Sequence, residues 1–511
     1  MAARVMTGSY DSLPDLLDAV AARYPGADAF VDATERLSFT GWRRRAAGLA
    51  AVLARRGIRQ GDVVGLMLPS SIDYAVCYAA VLQLGAVVTG INPRFGPTEV
   101  HGILSRCEPA LVIGSGSARA RVPAGYRGQL LDAGELAECR AHPALHHRPA
   151  IRPSDPAVIV WTSGTTGAPK GAWFDHAGLQ AGAEVSGLLS APFDRRLMPI
   201  PFAHAGFMTR VWDQLAYVIT SVLTPAAWSA PAMLAALADE KVTVGQGVPT
   251  QWEKLLALPD LPATPLPDLR VIGTGATRVP AELVQALREA LGCPVLVRYA
   301  TTESPAISGT RPDDPADVLE RTVGRAQDGI EIAILDDDGA GLPAGQVGRV
   351  AIRSPFQMRG YWRDPGQTAL AFTPEGFFVG SDLGRLDADG NLTLSGRATE
   401  VYIRGGYNVY PLEVENSLSA HPGVAAAAVV AAPAPVIGEI GVAFVVAAPG
   451  PPPAEQELRD WCARRLADYK APDRVEFVSE LPLTPMLKVD KRALARRATS
   501  PPDRSRAGRA R

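Results

Sequence analysis

The chain has 511 residues, of which 47% are hydrophobic, enough for about three domain-sized units with buried cores. Its 51 basic and 53 acidic side chains leave a formal net charge of −2, so no basic field argues for nucleic acid as a partner. Five cysteines, Cys77, Cys107, Cys139, Cys293 and Cys462, lie far apart with no C-x-x-C pair, the pattern of reduced thiols in a cytoplasmic protein.

The N-terminus shows no basic, apolar and small-residue series of the signal-peptide type. Ser12-Leu13-Pro14-Asp15 reads as a helix start, with a Ser cap and an early Pro, followed by Leu16, Leu17 and Val20. A second helix is expected after Thr40, with Trp42, Ala46, Leu49 and Leu53 on one face and Gly57 at its end. Val63–Leu68 reads as a buried strand, Ser70–Leu84 as a helix closed by Gly85, and Ala86-Val87-Val88 as the next strand. This βαβ unit predicts parallel pairing and a doubly wound sheet. Asn92-Pro93-Arg94 turns out of it. His142, His146 and His147 stand among Arg140, Pro143 and Pro149 with no acid or cysteine, a solvated loop rather than a metal site.

Val158-Ile159-Val160-Trp161 then stops in Thr162-Ser163-Gly164-Thr165-Thr166-Gly167-Ala168-Pro169-Lys170-Gly171. Glycines allow backbone N–H groups to approach an anion, four hydroxyls add rotatable donors, and Lys170 adds charge. The loop suits a polyphosphate. It is not a P-loop of the G-x-x-x-x-G-K-[ST] type, because Pro169 stands five residues after Gly164 and Gly171 follows the lysine.

This run of ten residues resembles the phosphate loop of the adenylate-forming family, which includes acyl-CoA synthetases. Further signatures follow in the family's order, over roughly residues 12 to 495. Pro201-Phe202-Ala203-His204-Ala205-Gly206 resembles the segment whose histidine adjoins the activated carboxylate, a role this carries to His204. The strand-like run from Val242 to Pro249 resembles the wall of the acyl pocket. Leu269–Ile272 is read as a strand entering the turn Gly273-Thr274-Gly275-Ala276-Thr277, which in the family lies along the adenine and assigns Gly275, Ala276 and Thr277 to the nucleotide. A helix with Pro280 near its start, Leu283, Leu287 and Leu291 on one face, and Gly292 at its end comes next. The strand Val295–Tyr299 ends in Ala300-Thr301-Thr302-Glu303, like the family's Tyr-x-x-Thr-Glu signature with Ala300 in place of the usual glycine. Tyr299, Ala300, Thr301 and Thr302 then belong to the nucleotide site, with Glu303 as catalytic magnesium ligand, since a hard cation needs a carboxylate.

Gly348–Arg353 alternates like a strand, and Asp382 is suited to accept from both ribose hydroxyls. The run from Gly396 to Glu415 resembles the family's interdomain junction: Arg397 at the ribose, position 400 as the hinge, and Gly405-Gly406 where pantetheine passes. The hinge residue is usually Asp or Lys, whereas this chain has Glu400. The longest apolar region, Val424 to Ala448, is broken by Pro433, Pro435 and Glu439, which excludes a membrane span and reads as two buried strands. A helix is expected over Glu455–Leu466. Leu481–Arg492 resembles the C-terminal signature and makes Lys488 the adenylation lysine, with Leu487 where the family has glycine. Leucine closes backbone angles that glycine permits and takes up space beside a phosphate.

The resemblance implies an α/β fold: a large N-terminal domain of doubly wound sheets plus a small barrel-like subdomain, and a small mobile α+β C-terminal domain. The expected boundaries are residues 1–396 and 397–499, with a hinge near 400 and a disordered tail at 500–511. It implies an AMP-forming acyl-CoA ligase of fatty acid metabolism that uses ATP, Mg2+ and coenzyme A. Thr162 serves catalysis, and Ser163, Gly164, Thr165, Thr166, Gly167 and Lys170 hold the leaving phosphates. Its partners would be a carboxylic acid or acyl-adenylate and coenzyme A, with room for a homodimer. Leu487 raises the alternative of an enzyme specialised for thioester formation on acyl-adenylate supplied by a separate adenylating enzyme; loading of a separate carrier protein is another. A nucleotide-binding regulator without turnover is disfavoured by Lys170, Glu303, Asp382, Arg397 and Lys488.

Overall fold

In the computed structural model, residues 4–139, 142–143, 147–162, 169–225, 227–276, 279–404, 407–484 and 488–499 are described. The first helix forms over Leu13–Arg23, where Ser12 accepts from the Asp15 N–H and Pro14 sits in the first turn, its N–H not needed there. Leu16, Leu17 and Val20 are buried. The second helix, Phe39–Arg55, begins earlier than its Thr40 signal because Ser38 accepts from the Gly41 N–H and caps it. Val63–Met67, the helix Ile72–Gln83, buried except at Asp73, and Val87–Gly90 form the expected βαβ unit, with the strands parallel and Val63 opposite Val87.

The chain forms two compact units, one of Met1–Ala333, Ala351–Val379 and Ala388–Leu392, the other of Ile334–Val350, Gly380–Asp387 and Thr393–Arg511. The first unit holds two sheets. In one, Val295–Tyr299, Val271–Gly275, Val244–Gly247, Arg195–Met198, Thr220–Leu223 and Asp28–Val31 run parallel in that order. Antiparallel strands complete both of its edges. In the other, Pro156–Thr162, Val87–Gly90, Val63–Met67, Leu111–Gly114 and Gln129–Asp132 are parallel, and Lys170–Asp175 and Gly360–Tyr361 add antiparallel strands. Parallel strands buried on both faces explain their near-continuous apolar runs. Glu331–Leu335, Gly348–Arg353, Phe378–Leu386 and Leu392–Arg397 make a separate four-stranded sheet.

The second unit holds a five-stranded sheet in which Val424–Ala434 and Gly438–Ala447 pair over their whole lengths. These are the two strands expected in the long apolar region. The helices Pro411–Ser419 and Glu455–Ala463 contribute Val414, Leu418, Leu458 and Cys462 to its core. Among the described residues, no helix is long and apolar enough to cross a membrane.

Some local expectations fail, each for a tertiary reason. Gly273-Thr274-Gly275 is strand, not turn, because it is laddered between Gly245–Gly247 on one side and Val295–Arg298 on the other. Only Val244–Gly247 of the Val242–Pro249 run is strand, and Pro249 already starts the next helix, where a missing N–H costs nothing. The Glu455 helix stops at Ala463.

Candidate active site

In the first unit, Thr162 ends one strand and pairs with Lys170, which begins the next. The loop between them is therefore held at both ends by the same hairpin. Ser163, Gly164, Thr165, Thr166 and Gly167 lie outside the described residues. Lys170 Nζ donates to Gln367 Oε1 at 2.6 Å and stands 5.0 Å from the centroid of the Tyr361 ring. A cleft of about 240 Å³ adjoins it, lined among others by Arg106, Gly171 and Tyr361.

Tyr361 continues the series. Its hydroxyl donates to Glu303 Oε1 at 2.9 Å, and burial, reinforced by the Glu303 charge, pushes the phenol well above its ordinary pKa and keeps it a donor. The loop carrying Glu303 follows the Val295–Tyr299 strand at its carboxyl end, where ligands of open α/β sheets gather. It is stiffened internally, since the Ser304 N–H donates to Thr301 Oγ1 and the Thr301 N–H to the Ser304 carbonyl, both at 3.0 Å. Externally the Met358 N–H donates to the Glu303 carbonyl at 2.7 Å. Tyr299 is buried, Ala300 exposed, and Thr301, Thr302 and Glu303 half-buried. Gly275 ends the neighbouring strand, where a Cβ would collide with the Arg298 carbonyl. Ala276 takes a φ of 66°, in the left-handed region, and Thr277 lies outside the described residues.

His204 caps the short helix Ala205–Met208, and its Nε2 lies 2.9 Å from Asn92 Nδ2. Asn92 Oδ1 already accepts from the Arg94 N–H, so its amide donates to Nε2 and the ring proton belongs on Nδ1. Gly90 makes this approach feasible, since a Cβ there would stand 2.6 Å from the Ala203 carbonyl oxygen. Phe95 meets the imidazole edge-on, with centroids 6.2 Å apart.

In the second unit, Arg397 Nε donates to Asp382 Oδ1 at 3.2 Å, so the two expected ribose contacts pair with each other. The Thr484 N–H donates to the Lys488 carbonyl at 2.7 Å. The Lys488 side chain is exposed by surface area. Protein crowding nonetheless draws the ammonium below the usual lysine pKa, as does the Arg397 charge, while Asp382 pulls it up. Leu487, Gly405 and Gly406 lie outside the described residues. Glu400 is bound by Lys491 at 2.6 Å, and Lys491 also reaches Glu415 at 2.8 Å.

Four contributors escaped the sequence reading of the site: Gln367, Asn92, Tyr361 and Lys491. Gln367, Asn92 and Tyr361 have no local signature, whereas Lys491 stands inside the C-terminal signature already singled out.

A family model for AMP-binding enzymes matches residues 17–362, and one for the AMP-binding enzyme C-terminal domain matches residues 413–488. The chain is 32% identical to 3-[(3aS,4S,7aS)-7a-methyl-1,5-dioxo-octahydro-1H-inden-4-yl]propanoyl:CoA ligase of Rhodococcus jostii over 96% of this chain and 99% of that protein. It is 33% identical to feruloyl-CoA synthase of an Amycolatopsis species, covering 93% and 96%. Among solved structures, ATP-bound MatB from Rhodopseudomonas palustris matches with a TM-score of 0.87 at 28% identity, covering 95% of this chain and 98% of that one.

Proposed function

Because the chain belongs to the AMP-binding enzymes and is an acyl-CoA synthetase, we propose that it converts a carboxylic acid, ATP and coenzyme A to acyl-CoA, AMP and pyrophosphate through an acyl-adenylate. The observation that carries this reading is the series Lys170, Tyr361, Glu303, which joins a cation on the phosphate-loop hairpin to a carboxylate at a strand end.

A carboxylate oxygen of the acid attacks the α-phosphorus, and the bond to the pyrophosphate oxygen breaks. Thr162 and Lys170 anchor the ends of the loop that holds the leaving phosphates, and Lys170 neutralises part of their charge. His204, oriented by Asn92, stands beside the acid. Glu303 with the hydroxyls of Thr301 and Thr302 fits magnesium, which takes few protein ligands and completes its shell with phosphate oxygens and water. Bound there, the ion supplies Lewis-acid polarisation of the phosphate oxygens. Asp382 and Arg397 bind ribose, and Lys488 meets the charge developing at the α-phosphate. Coenzyme A thiolate then attacks the acyl carbonyl and AMP departs. We place the domain boundary at residues 396/397 and the pivot at Glu400, and infer a cytoplasmic protein with reduced thiols: Cys77, Cys107, Cys293 and Cys462 are free and buried.

A second reading rests on Leu487: adenylation is slow, and thioester formation on supplied acyl-adenylate is the efficient half-reaction. Acid-dependent pyrophosphate release, followed with acyl-CoA formation across aliphatic, aromatic and polycyclic acids, tests the ligase. No pyrophosphate with any acid, together with thioester from preformed acyl-adenylate, favours the second reading. Neither product overturns both.

A further inference from the structure

Arg298 is a cation that the proposed machinery does not use. It lies on the Val295–Tyr299 strand, on the face opposite Val295 and Val297. Those two valines enter the core beneath the helices, whereas Leu296, on the side of Arg298, packs with Leu189 and Val244. The guanidinium crosses a neighbouring strand at Gly309, where any side chain would collide with Nη1, and a Cβ at Gly187 would stand 3.5 Å from Nη2.

Among the described residues Arg298 has no ion-pair partner, and its Nε is buried without an acceptor. Burial lowers its pKa to about 10, and the charges that add to this are Arg210 and Arg311, both positive. The carboxylate beside Arg210 is already committed. Asp213 pairs with Arg196 at 2.8 Å, lies 3.8 Å from Arg210, and accepts from Ser186 at 2.6 Å and Ser190 at 3.0 Å. Arg196 and Arg210 thus share one carboxylate, and Arg298, on which the Arg210 charge acts, has none among the described residues, an excess of positive charge that an anion would correct.

The location matters as much as the excess. Arg298 directly precedes Tyr299, which opens the Thr301–Glu303 loop, and Arg210 lies two residues beyond the helix that His204 caps. The cationic excess therefore neighbours, along the chain, the His204 segment that the ligase reading places beside the acid and the loop that it assigns to magnesium and the nucleotide. Resting on that reading, we propose that Arg298 receives a second anionic group of the acid substrate, a carboxylate or sulfonate remote from the carboxylate that is activated. A planar guanidinium suits such a group because it can donate two parallel hydrogen bonds to it. A monoacid would leave the arginine buried and unanswered.

The test uses the full-length enzyme and acids matched in chain length, hexanoate against adipate and butanoate against succinate, reading pyrophosphate release and thioester mass. Selectivity for the diacid, as a ratio of kcat/KM values, is expected to be about tenfold or more. Arg298→Leu should lower that ratio at least tenfold, and Arg298→Lys should recover part of it, since an ammonium keeps the charge and loses the fork. Equal or better use of the monoacids by the unmodified enzyme would overturn the proposal even if the variants do not fold. So would a ratio unmoved in Arg298→Leu. Failure of every acid to release pyrophosphate or form thioester would instead overturn the ligase reading, and this proposal with it.

Discussion

The hydroxyl of Tyr361 donates to Glu303 at 2.9 Å, although 58 residues separate them and the elements that carry them come from different sheets of the first unit. Tyr361 lies in the two-residue strand Gly360–Tyr361 at the edge of one sheet, and Glu303 in the loop that ends a strand of the other. A hydrogen bond to a charged group contributes about 1.5–3 kcal/mol. Here its work is orientation of a carboxylate. Tyr361→Phe should therefore raise the magnesium concentration needed for half-maximal pyrophosphate release severalfold and lower the saturated rate by about tenfold. A magnesium titration indistinguishable from that of the parent would remove Glu303 from the proposed metal role.

Lys488 provides a cleaner division of the two half-reactions. Replacing it by alanine removes the charge-stabilising donor that the ligase reading places at the α-phosphate, and pyrophosphate release should fall by roughly two to three orders of magnitude. Thioester formation from preformed acyl-adenylate and coenzyme A should remain. Loss of both in parallel would place Lys488 in a structural role. Leu487→Gly, at the neighbouring position, should accelerate adenylation relative to the thioester step, and a variant no faster than its parent would dismiss the specialised half-reaction.

Lys491 lies between Glu400 at 2.6 Å and Glu415 at 2.8 Å, and Glu415 Oε1 also accepts from the Val429 N–H at 2.8 Å. Burial alone would lower the lysine pKa, but Glu415 and then Glu400 outweigh it and raise the value above that of an ordinary lysine. The resulting stabilisation is complete below about pH 10, the unfolded lysine value, and is lost as pH rises through the higher folded one. Lys491→Met leaves two carboxylates facing each other and should destabilise the protein by about 1–3 kcal/mol at neutral pH. Adding Glu400→Gln should recover part of this in urea denaturation; strictly additive losses would show that the groups do not interact.

His176 sets a different pH limit. Its Nδ1 accepts from the Leu13 N–H at 3.2 Å inside the core, and burial lowers its pKa to about 4, against the opposing charges of Asp155, Asp175 and Asp15. The folded protein binds its proton less readily than the unfolded chain, so stability is full above about pH 6.5 and declines as pH falls toward 4. The total over that window is about 3 kcal/mol. His176→Gln, which preserves an acceptor, should flatten the decline between urea midpoints measured at pH 7 and pH 4.5. An unaltered slope would assign acid sensitivity to the carboxylates instead.

The sequence by itself determined the alternation of strands and helices, the βαβ opening, and the kinds of residue at each end of the phosphate-loop hairpin. These depend on local rules: apolar runs, Ser caps at Ser12 and a glycine stop at Gly292. Only the tertiary structure decided the partnerships. Lys170 meets Gln367 across 197 residues, His204 meets Asn92 across 112, and Lys491 meets Glu400 across 91. Crossover connections and sheet order bring such pairs together, and no periodicity in the chain encodes them. The same reason explains why Gly273-Thr274-Gly275 became strand: ladder partners on both sides outweighed the local preference of glycine for a turn. Arg298 is the sharpest case, an ordinary strand residue by sequence that the fold leaves without an ion-pair partner among the described residues, while Asp213 serves other arginines.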